Sequence, residues 1–314
     1  MLHLLFLSFA ALVMAQSTQQ KLLVYSRTAG YRHDSIPAAQ SFLGQMSPKI
    51  NCTFSEDPAD FALSNLLNFD ALVFLHNSDE ILDSDGKDNL FSYLTSGGNL
   101  IGIHSATAAL FNTSFYGKAF GAFFDYHPDL QPATFIPLNV SHPSTASLPA
   151  RWTFTEEVYY FRSNPRDNDV TVIMSVDPAS YNDTTTHNAA QEDQIQGTPH
   201  PIAWFRDGNQ QGLDLVDNNW NDGTFKGRMW YTSLGHEIST WQNQTYQNHI
   251  LNGIQWVLNS TTKAVISTPG LTNPGSGGGQ GSGGSGASRD RPVTITSLPL
   301  QAAALIVAGA AALV

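Results

Sequence analysis

Two apolar runs decide the fold: Asp70-Ala71-Leu72-Val73-Phe74-Leu75 and Asn99-Leu100-Ile101-Gly102-Ile103. Each is a short, continuous hydrophobic stretch, the pattern of a strand buried on both faces of a parallel sheet. Between them, the stretch from Asp83 to Ser96 sets Leu82, Leu90, Tyr93 and Leu94 near helical spacing, and Gly97-Gly98 stops it. Strand, helix, strand at this pitch is a βαβ unit. Upstream, Leu22-Leu23-Val24-Tyr25-Ser26 repeats the buried-strand pattern. Further strands are expected at Thr134–Val140, Val170–Val176, Pro201–Arg206 and Arg228–Ser233, and a closing amphipathic helix at Thr245–Leu258. The pattern predicts one α/β domain over residues 20–262, doubly wound around a mostly parallel sheet, with no internal repeat.

The two ends of the chain carry a different message. Met1 to Ala15 is an apolar run closing on Val13-Met14-Ala15, which predicts a signal peptide (residues 1–15) cut near Ala15-Gln16. At the other end, residues 267–288 form a Gly/Ser-rich linker in which eight of the twelve residues from Gly275 to Gly286 are glycine. A small-residue site at Gly286-Ala287-Ser288, a polar spacer from Arg289 and the apolar run Leu298–Val314 follow in the order of a glycosylphosphatidylinositol (GPI) signal. Residues 289–314 are therefore expected to be spacer and removed tail, with attachment at Gly286. Sequons at Asn51, Asn112, Asn139, Asn182, Asn243 and Asn259 agree with passage through a secretory pathway. The expectation is an extracellular glycoprotein held to plasma membrane or cell wall by lipid alone.

Composition narrows the partners. The chain has 15 basic and 26 acidic residues, a net charge of −11, and losing Arg289, Arg291 and Asp290 would make it more acidic still. No basic cluster is available to neutralise phosphates, so no nucleic-acid partner is expected. Cys52 is the single cysteine, so no intramolecular disulfide can form and the core must hold the fold. A polar surface rich in Asn, Gln, Ser and Thr suits a sugar or glycan ligand.

In open parallel sheets, ligands bind at the carboxyl ends of the strands, so polar residues just after apolar runs are the candidates. Tyr25 to Ile36 follows the first strand and opens a helix; Asp34 or Ser35 is placed to N-cap it, with Pro37 in the first turn. That puts His33 at the sheet edge, either packing the loop or facing the cleft, with Arg27 on the same loop. Gly102-Ile103-His104-Ser105-Ala106 is a turn where α/β hydrolases place a nucleophile elbow, but a serine elbow at Ser105 would need glycines where Ile103 and Thr107 stand, and His104 holds the centre. His104 can move a proton or bind a metal. His236 follows the strand Arg228–Ser233, and His76 follows Asp70–Leu75. His127 and His142 each precede proline and read as turn residues. Trp220, in a polar loop, either stacks on a sugar ring or pins the loop.

Seven ordered stretches carry a resemblance: LLVYSRTAGYRHDSI, FDALVFLHNSD, SGGNLIGIHSATA, FGAFFDYHPDLQPATF, HPSTASLPARWTFTEEVYYF, HPIAWF and GRMWYTSLGHEISTWQNQTYQNHILNGIQWVL. Together they span nearly all of residues 21–258, and the chain resembles the trehalose-utilisation (ThuA-like) family. The resemblance implies a flavodoxin/class I glutamine amidotransferase-like fold with His104 where those enzymes carry their cysteine. Without a thiolate at the elbow, glutaminase chemistry is excluded. It also implies a link to sugar metabolism, including oxidised 3-keto sugars, and marks His33, His104, Glu157, His200 and His236 as its recurrent polar positions.

The expectation drawn from both readings is a carbohydrate-active hydrolase or lyase. His104, His236, Glu157 and His33 are its candidate catalytic residues; Arg27, His200 and Trp220 are its candidate substrate contacts. Imidazoles with one carboxylate serve as general acid and base or hold a divalent metal such as zinc, here on His33, His104 and His236. The alternative is a non-catalytic carbohydrate-binding or cell-wall protein on the same fold. Glu156, Glu157 and Asp177 are available for a two-carboxylate glycosidase mechanism, but their spacing does not establish one.

Overall fold

The structure, a computed structural model, describes residues 19–185, 189–208, 213–215 and 223–264. The expected signal peptide, linker and anchor segments, with Gly286, lie outside the described residues, as does Trp220. The described residues fall within one compact unit, Met1–Ser267.

From the N-terminus come β1 (Gln20–Tyr25), α1 (Ile36–Gly44), β2 (Ile50–Ser55), α2 (Leu63–Leu66), β3 (Ala71–Leu75), α3 (Ser84–Thr95), β4 (Leu100–Ile103) and α4 (Ser114–Phe120). Then follow β5 (Gln131–Pro137), β6 (Trp152–Glu156), β7 (Thr171–Val176), α5 (Ala189–Gln196), β8 (Ala203–Arg206), and the short ribbon of β9 (Leu213–Asp214) and β10 (Thr224–Phe225). The chain closes with β11 (Met229–Thr232), α6 (Ile238–Gln242) and α7 (Gln244–Leu258). The expected βαβ unit is β3-α3-β4, and α3 begins where the sequence signals it, with the Asp83 carboxylate accepting from the Gly86 amide at 2.8 Å. The first loop differs in one respect. Ser35 sits at the N-cap of α1 but makes no side-chain cap bond; its hydroxyl donates to the Gly235 carbonyl at 3.3 Å, tying the first loop to the last.

Nine strands form one sheet in the order β2-β1-β3-β4-β11-β8-β7-β5-β6. Neighbours from β2 to β11 pair in parallel, and every pairing from β11 to β6 is antiparallel. Seven strands thus point one way, with β5 and β8 reversed. This is the expected doubly wound, mostly parallel fold. The carboxyl ends of β1, β3, β4, β6 and β11 all face the same edge.

Side chains alternate between two cores, one on each face. Leu23, Tyr25, Leu72, Phe74 and Tyr231 pack under α3 and α4 with Leu90, Tyr93, Tyr116 and Phe120. Leu22, Val24, Val73, Ile101 and Trp230 pack under α1, α6 and α7 with Leu43, Trp241, Ile250 and Ile254. Large-to-small changes at such sites cost about 2–5 kcal/mol, so either core alone carries a decisive share of stability.

Two glycines permit this close packing. A Cβ on Gly102 would lie 2.5 Å from the Phe120 ring, and one on Gly253 would lie 2.5 Å from the Trp230 indole. Trp230 cannot swing aside freely, because its ring N–H donates to the Ser144 hydroxyl. Gly253→Ala should therefore destabilise by about 1–3 kcal/mol through overpacking, although helix propensity alone favours alanine by about 1 kcal/mol. Urea melts of Gly102→Ala and Gly253→Ala check this; a gain in stability for either would contradict the packing account.

Candidate functional site

The site is built where the strands end. The chain leaves β3 at His76 with φ +53° and leaves β4 at His104 with φ +57°. That left-handed region is unfavourable for a residue with a Cβ, and it recurs where turns aim a side chain at a functional cleft. His104 opens a short 3-10 helix, His104–Ala108, and is fully buried. His33 arrives from the loop after β1, Glu157 from the end of β6, and His236 from the end of β11.

One ligand atom from each of His33, His104, Glu157 and His236 lies within 4.8 Å of the others. His104 is fixed by its inner nitrogen. Nδ1 lies 2.6 Å from the Ser233 carbonyl, which can only accept, so Nδ1 carries the proton and Nε2 presents a lone pair. That lone pair meets the Tyr159 hydroxyl at 3.0 Å, His33 Nε2 at 3.0 Å and Glu157 Oε2 at 3.5 Å. His127 repeats the arrangement. Its Nδ1 donates to the Pro128 carbonyl at 2.8 Å, and Nε2 faces Glu157 Oε1 at 3.3 Å. On the other side, His236 Nδ1 lies 3.1 Å from Glu157 Oε2.

The site is therefore crowded with electron pairs. Two imidazoles with their protons turned away face a carboxylate and a third imidazole, which is repulsive unless a proton or a cation sits among them. A carbonyl locking the far nitrogen of a histidine is also the usual outer support of metal ligands. The donor set of imidazole nitrogens and one carboxylate oxygen suits zinc or a similar ion. Three of the six separations among these atoms, 3.0–3.5 Å, are close to the roughly 3.3 Å edges of a tetrahedron with bonds of about 2.0–2.1 Å.

Burial sets the charges. His33 is pushed down to about 4 by desolvation and by the neighbouring His236, and His76 and His104 lie well below the ordinary range, first through desolvation. His236 goes the other way: desolvation pulls it down, but the Glu157 carboxylate more than offsets this and raises it. Glu156 is fully buried and pushed up to about 7, against the pull of three amides. Those amides show its role. Its oxygens accept from Glu157 at 3.0 Å, Gly235 at 2.8 Å and His236 at 3.1 Å, so one carboxylate pins the two segments that carry Glu157 and His236.

All four expected catalytic residues meet in this cluster, and His76 packs behind it, 5.0 Å between ring centroids from both His33 and His104. His200 is behind the site rather than in it. Its Nε2 donates to the Tyr159 carbonyl at 2.7 Å, and burial pushes it down to about 4. Arg27 reaches the Glu56 carbonyl at 3.3 Å, among residues of the first loop. Asp177 pairs with Arg151 at the surface, so it forms no carboxylate pair with Glu157. Cys52 lies on the edge strand β2 with its thiol pushed up to about 11 by burial, away from the elbow.

Sequence reading passed over two members. His127 occupies a turn, as its following proline suggests, yet the Phe124–Phe161 bridge brings that turn against the segment after β6. Tyr159 stands two residues beyond Glu157, the same-side spacing of extended chain, and that was the available signal. His127, with 34 % of its side chain exposed, and His236, with 17 %, form the solvent-facing side of the cluster.

A family model described as ThuA, trehalose utilisation, matches residues 21–257. Among solved structures, a ThuA-like protein from Bacteroides uniformis is 21 % identical, covering 77 % of this chain and 93 % of its own, with TM-score 0.59. A ThuA-like protein from Parabacteroides merdae is 16 % identical, covering 80 % and 93 %, with TM-score 0.54. A GMP synthase component from Thermoplasma acidophilum aligns over 76 % of this chain and 93 % of its own at 14 % identity, with TM-score 0.42. No curated protein sequence matches the chain. The doubly wound α/β fold expected from the sequence is the one shared with these two ThuA-like proteins.

The buried imidazoles predict acid sensitivity. Below about pH 6.5 the unfolded chain protonates its histidines, whereas His33, His200 and His249 in the fold resist until about 4, and His76 and His104 further still. The stability they contribute is complete above about 6.5 and is lost as pH falls through that window. Glu156, whose folded form takes up a proton first near 7, and His236, which Glu157 raises, act in the opposite sense, but they are two groups against six, since burial also pushes His142 down to about 3. Thermal melts from pH 7 to pH 4.5 should show a steadily falling midpoint; a flat or rising profile would contradict the assignment.

Proposed function

The chain belongs to the ThuA, trehalose-utilisation family, and we propose that it is an enzyme acting on a sugar or glycoside through its His33–His104–Glu157–His236 cluster. The observation that carries the reading is the meeting of these four ligand atoms within 4.8 Å at the strand ends. Scattered over the surface, the same residues would have no common chemistry.

His33, His104 and His236 with Glu157 are the residues that would hold a divalent ion such as zinc. Such an ion would supply Lewis acidity, polarising a sugar carbonyl or an attacking water. The chain's own groups supply the proton movements. With no ion bound, Tyr159 donates toward the His104 lone pair, and the Glu157 carboxylate favours a proton on His236 beside the solvent-facing side of the cluster. Positioned acid–base groups of this kind contribute on the order of 10²–10⁴-fold in rate. Glu156 keeps Glu157 and His236 at fixed separation by binding both backbone amides.

We also propose that the domain is displayed outside the cell on a lipid anchor, a reading supported by the order of signals at the chain ends. In the fold Asn51, Asn112, Asn182, Asn243 and Asn259 are exposed and Asn139 is half-buried, so sugar-transfer enzymes can reach them. Among the described residues no helix is long and apolar enough to cross a membrane. Enzymatic removal of N-glycans from the secreted protein should lower its apparent mass stepwise; an unchanged mass would overturn the glycoprotein reading.

The activity itself is tested by incubating the protein with native and 3-keto disaccharides, with and without added zinc. Turnover should appear, and His104→Ala and Glu157→Gln should each lower it by at least about 100-fold. In equilibrium dialysis both should also lose bound zinc if the ion takes part. Undiminished turnover in His104→Ala would sink the enzyme reading. Glycan binding without any product, unchanged in His104→Ala, would favour the binding-protein alternative.

A further inference from the structure

Exposed aromatic rings are scarce in this fold. Of the ten tyrosines only Tyr31 is exposed, at 65 %. Among the described residues the other exposed aromatic ring is Phe54, on the edge strand β2. Tyr31 lies in the loop after β1, on the crest of Ala29, Gly30, Tyr31 and Arg32, from which the chain turns inward to bury His33. The Tyr31 ring meets the His33 ring edge-on, with 4.7 Å between centroids and planes at 85°. From there a row of neighbouring rings crosses the cluster: His33 to His104 at 4.6 Å, His104 to Tyr159 at 4.8 Å and Tyr159 to His127 at 5.7 Å. The middle of the row is buried, while Tyr31 and His127 at its two ends reach solvent.

The backbone beneath Tyr31 is held by the loop after β3. The Ser78 hydroxyl donates to the Tyr31 carbonyl at 2.7 Å and accepts from the Gly30 amide at 3.2 Å. The Ala29 amide donates to the Ser78 carbonyl at 2.9 Å. A single apolar side chain on a surface is ordinary. This one differs in two respects. It is a large ring presented to water from an anchored loop, and it adjoins a member of the imidazole cluster. Most of its area contributes nothing to either core, so that area is free for a ligand.

We propose that Tyr31 is the stacking platform on which this site holds its sugar, an inference that rests on the reading of the cluster as a sugar site. A pyranose carries its hydroxyls around the rim and leaves a flat face of C–H bonds. That face pairs with an aromatic ring through dispersion and through the negative face of the ring. The rim hydroxyls stay free for the polar groups next to the platform, of which His33 is in direct contact and His236 lies 5.2 Å from His33 between ring centroids. Tyr31 thereby sets specificity. A ring sugar with one unobstructed C–H face is accepted, whereas an open-chain polyol offers the same hydroxyls without that face.

Trehalose, maltose, their 3-keto forms and sorbitol test the proposal on the full chain. Nitration with tetranitromethane, read by mass spectrometry, should modify Tyr31 before any other tyrosine. At least one disaccharide should slow that modification severalfold, and sorbitol should leave it unchanged. For a disaccharide that is turned over, Tyr31→Ala should raise KM about tenfold with kcat within about twofold of the wild type. Tyr31→Phe keeps the ring and should recover most of that loss, and zinc affinity should be the same in both variants. Protection without turnover would sink the enzyme reading and leave the platform standing; turnover without protection would do the reverse. The proposal is overturned if Tyr31 is not the first tyrosine nitrated, if no disaccharide protects it, or if sorbitol protects it equally. It is overturned as well if Tyr31→Ala shifts zinc affinity but not KM, the signature of a ring that only shields His33.

Discussion

The hydrogen bond between His104 Nδ1 and the Ser233 carbonyl sets the character of the site. It holds a buried imidazole in one tautomer at a left-handed backbone position and turns a lone pair toward the opening. Every other polar member arranges itself around that lone pair: Tyr159 donates to it, His33 approaches it, and Glu157 and His236 stand beyond. The carbonyl is available because Ser233 follows β11, which pairs in parallel with β4. A feature of sheet register thereby becomes a feature of proton chemistry.

In the parallel half β1, β3, β4 and β11 were legible as short apolar runs and α3 from its boundary residues, but the edge strand β2, Ile50-Asn51-Cys52-Thr53-Phe54-Ser55, is largely polar and was not expected. The positions of His33, His104 and His236 followed from one rule, that polar residues just beyond such strands face the ligand edge. The antiparallel half was harder. The order β11-β8-β7-β5-β6 depends on pairings between segments far apart in sequence, and short apolar stretches carry no record of their neighbours. The strand expected to end at Val140 ends at Pro137, where the chain begins the turn leading to His142. His127 was missed because it enters the site through the Phe124–Phe161 bridge, a contact that local pattern cannot express, whereas Tyr159 was missed although its spacing from Glu157 offered a signal.

Histidine serves two purposes in this chain, and burial alone does not separate them. His200 and His249 are buried, neutral and satisfied at both nitrogens: His200 by Gln196 and the Tyr159 carbonyl, His249 by the Ser144 carbonyl and the Thr232 hydroxyl. They are struts. His33 at Nδ1, His76 at both nitrogens and His142 at Nε2 instead lack a hydrogen-bond partner among the described residues. His76 is fully buried behind the cluster and still unanswered at both nitrogens, so a missing partner alone does not mark a ligand-facing ring.

The Glu156 carboxylate spans 79 residues to reach the Gly235 amide and 80 to reach that of His236. Its strand, β6, forms one border of the sheet, four places from β11. Loop closure over such distances comes late in assembly, after the local βαβ unit can form. An assembly of β1, β3 and β4 alone would have His33 and His104 near one another but neither Glu157 nor His236 in place. The four-residue cluster thus comes into being only when all of its segments have closed on one another.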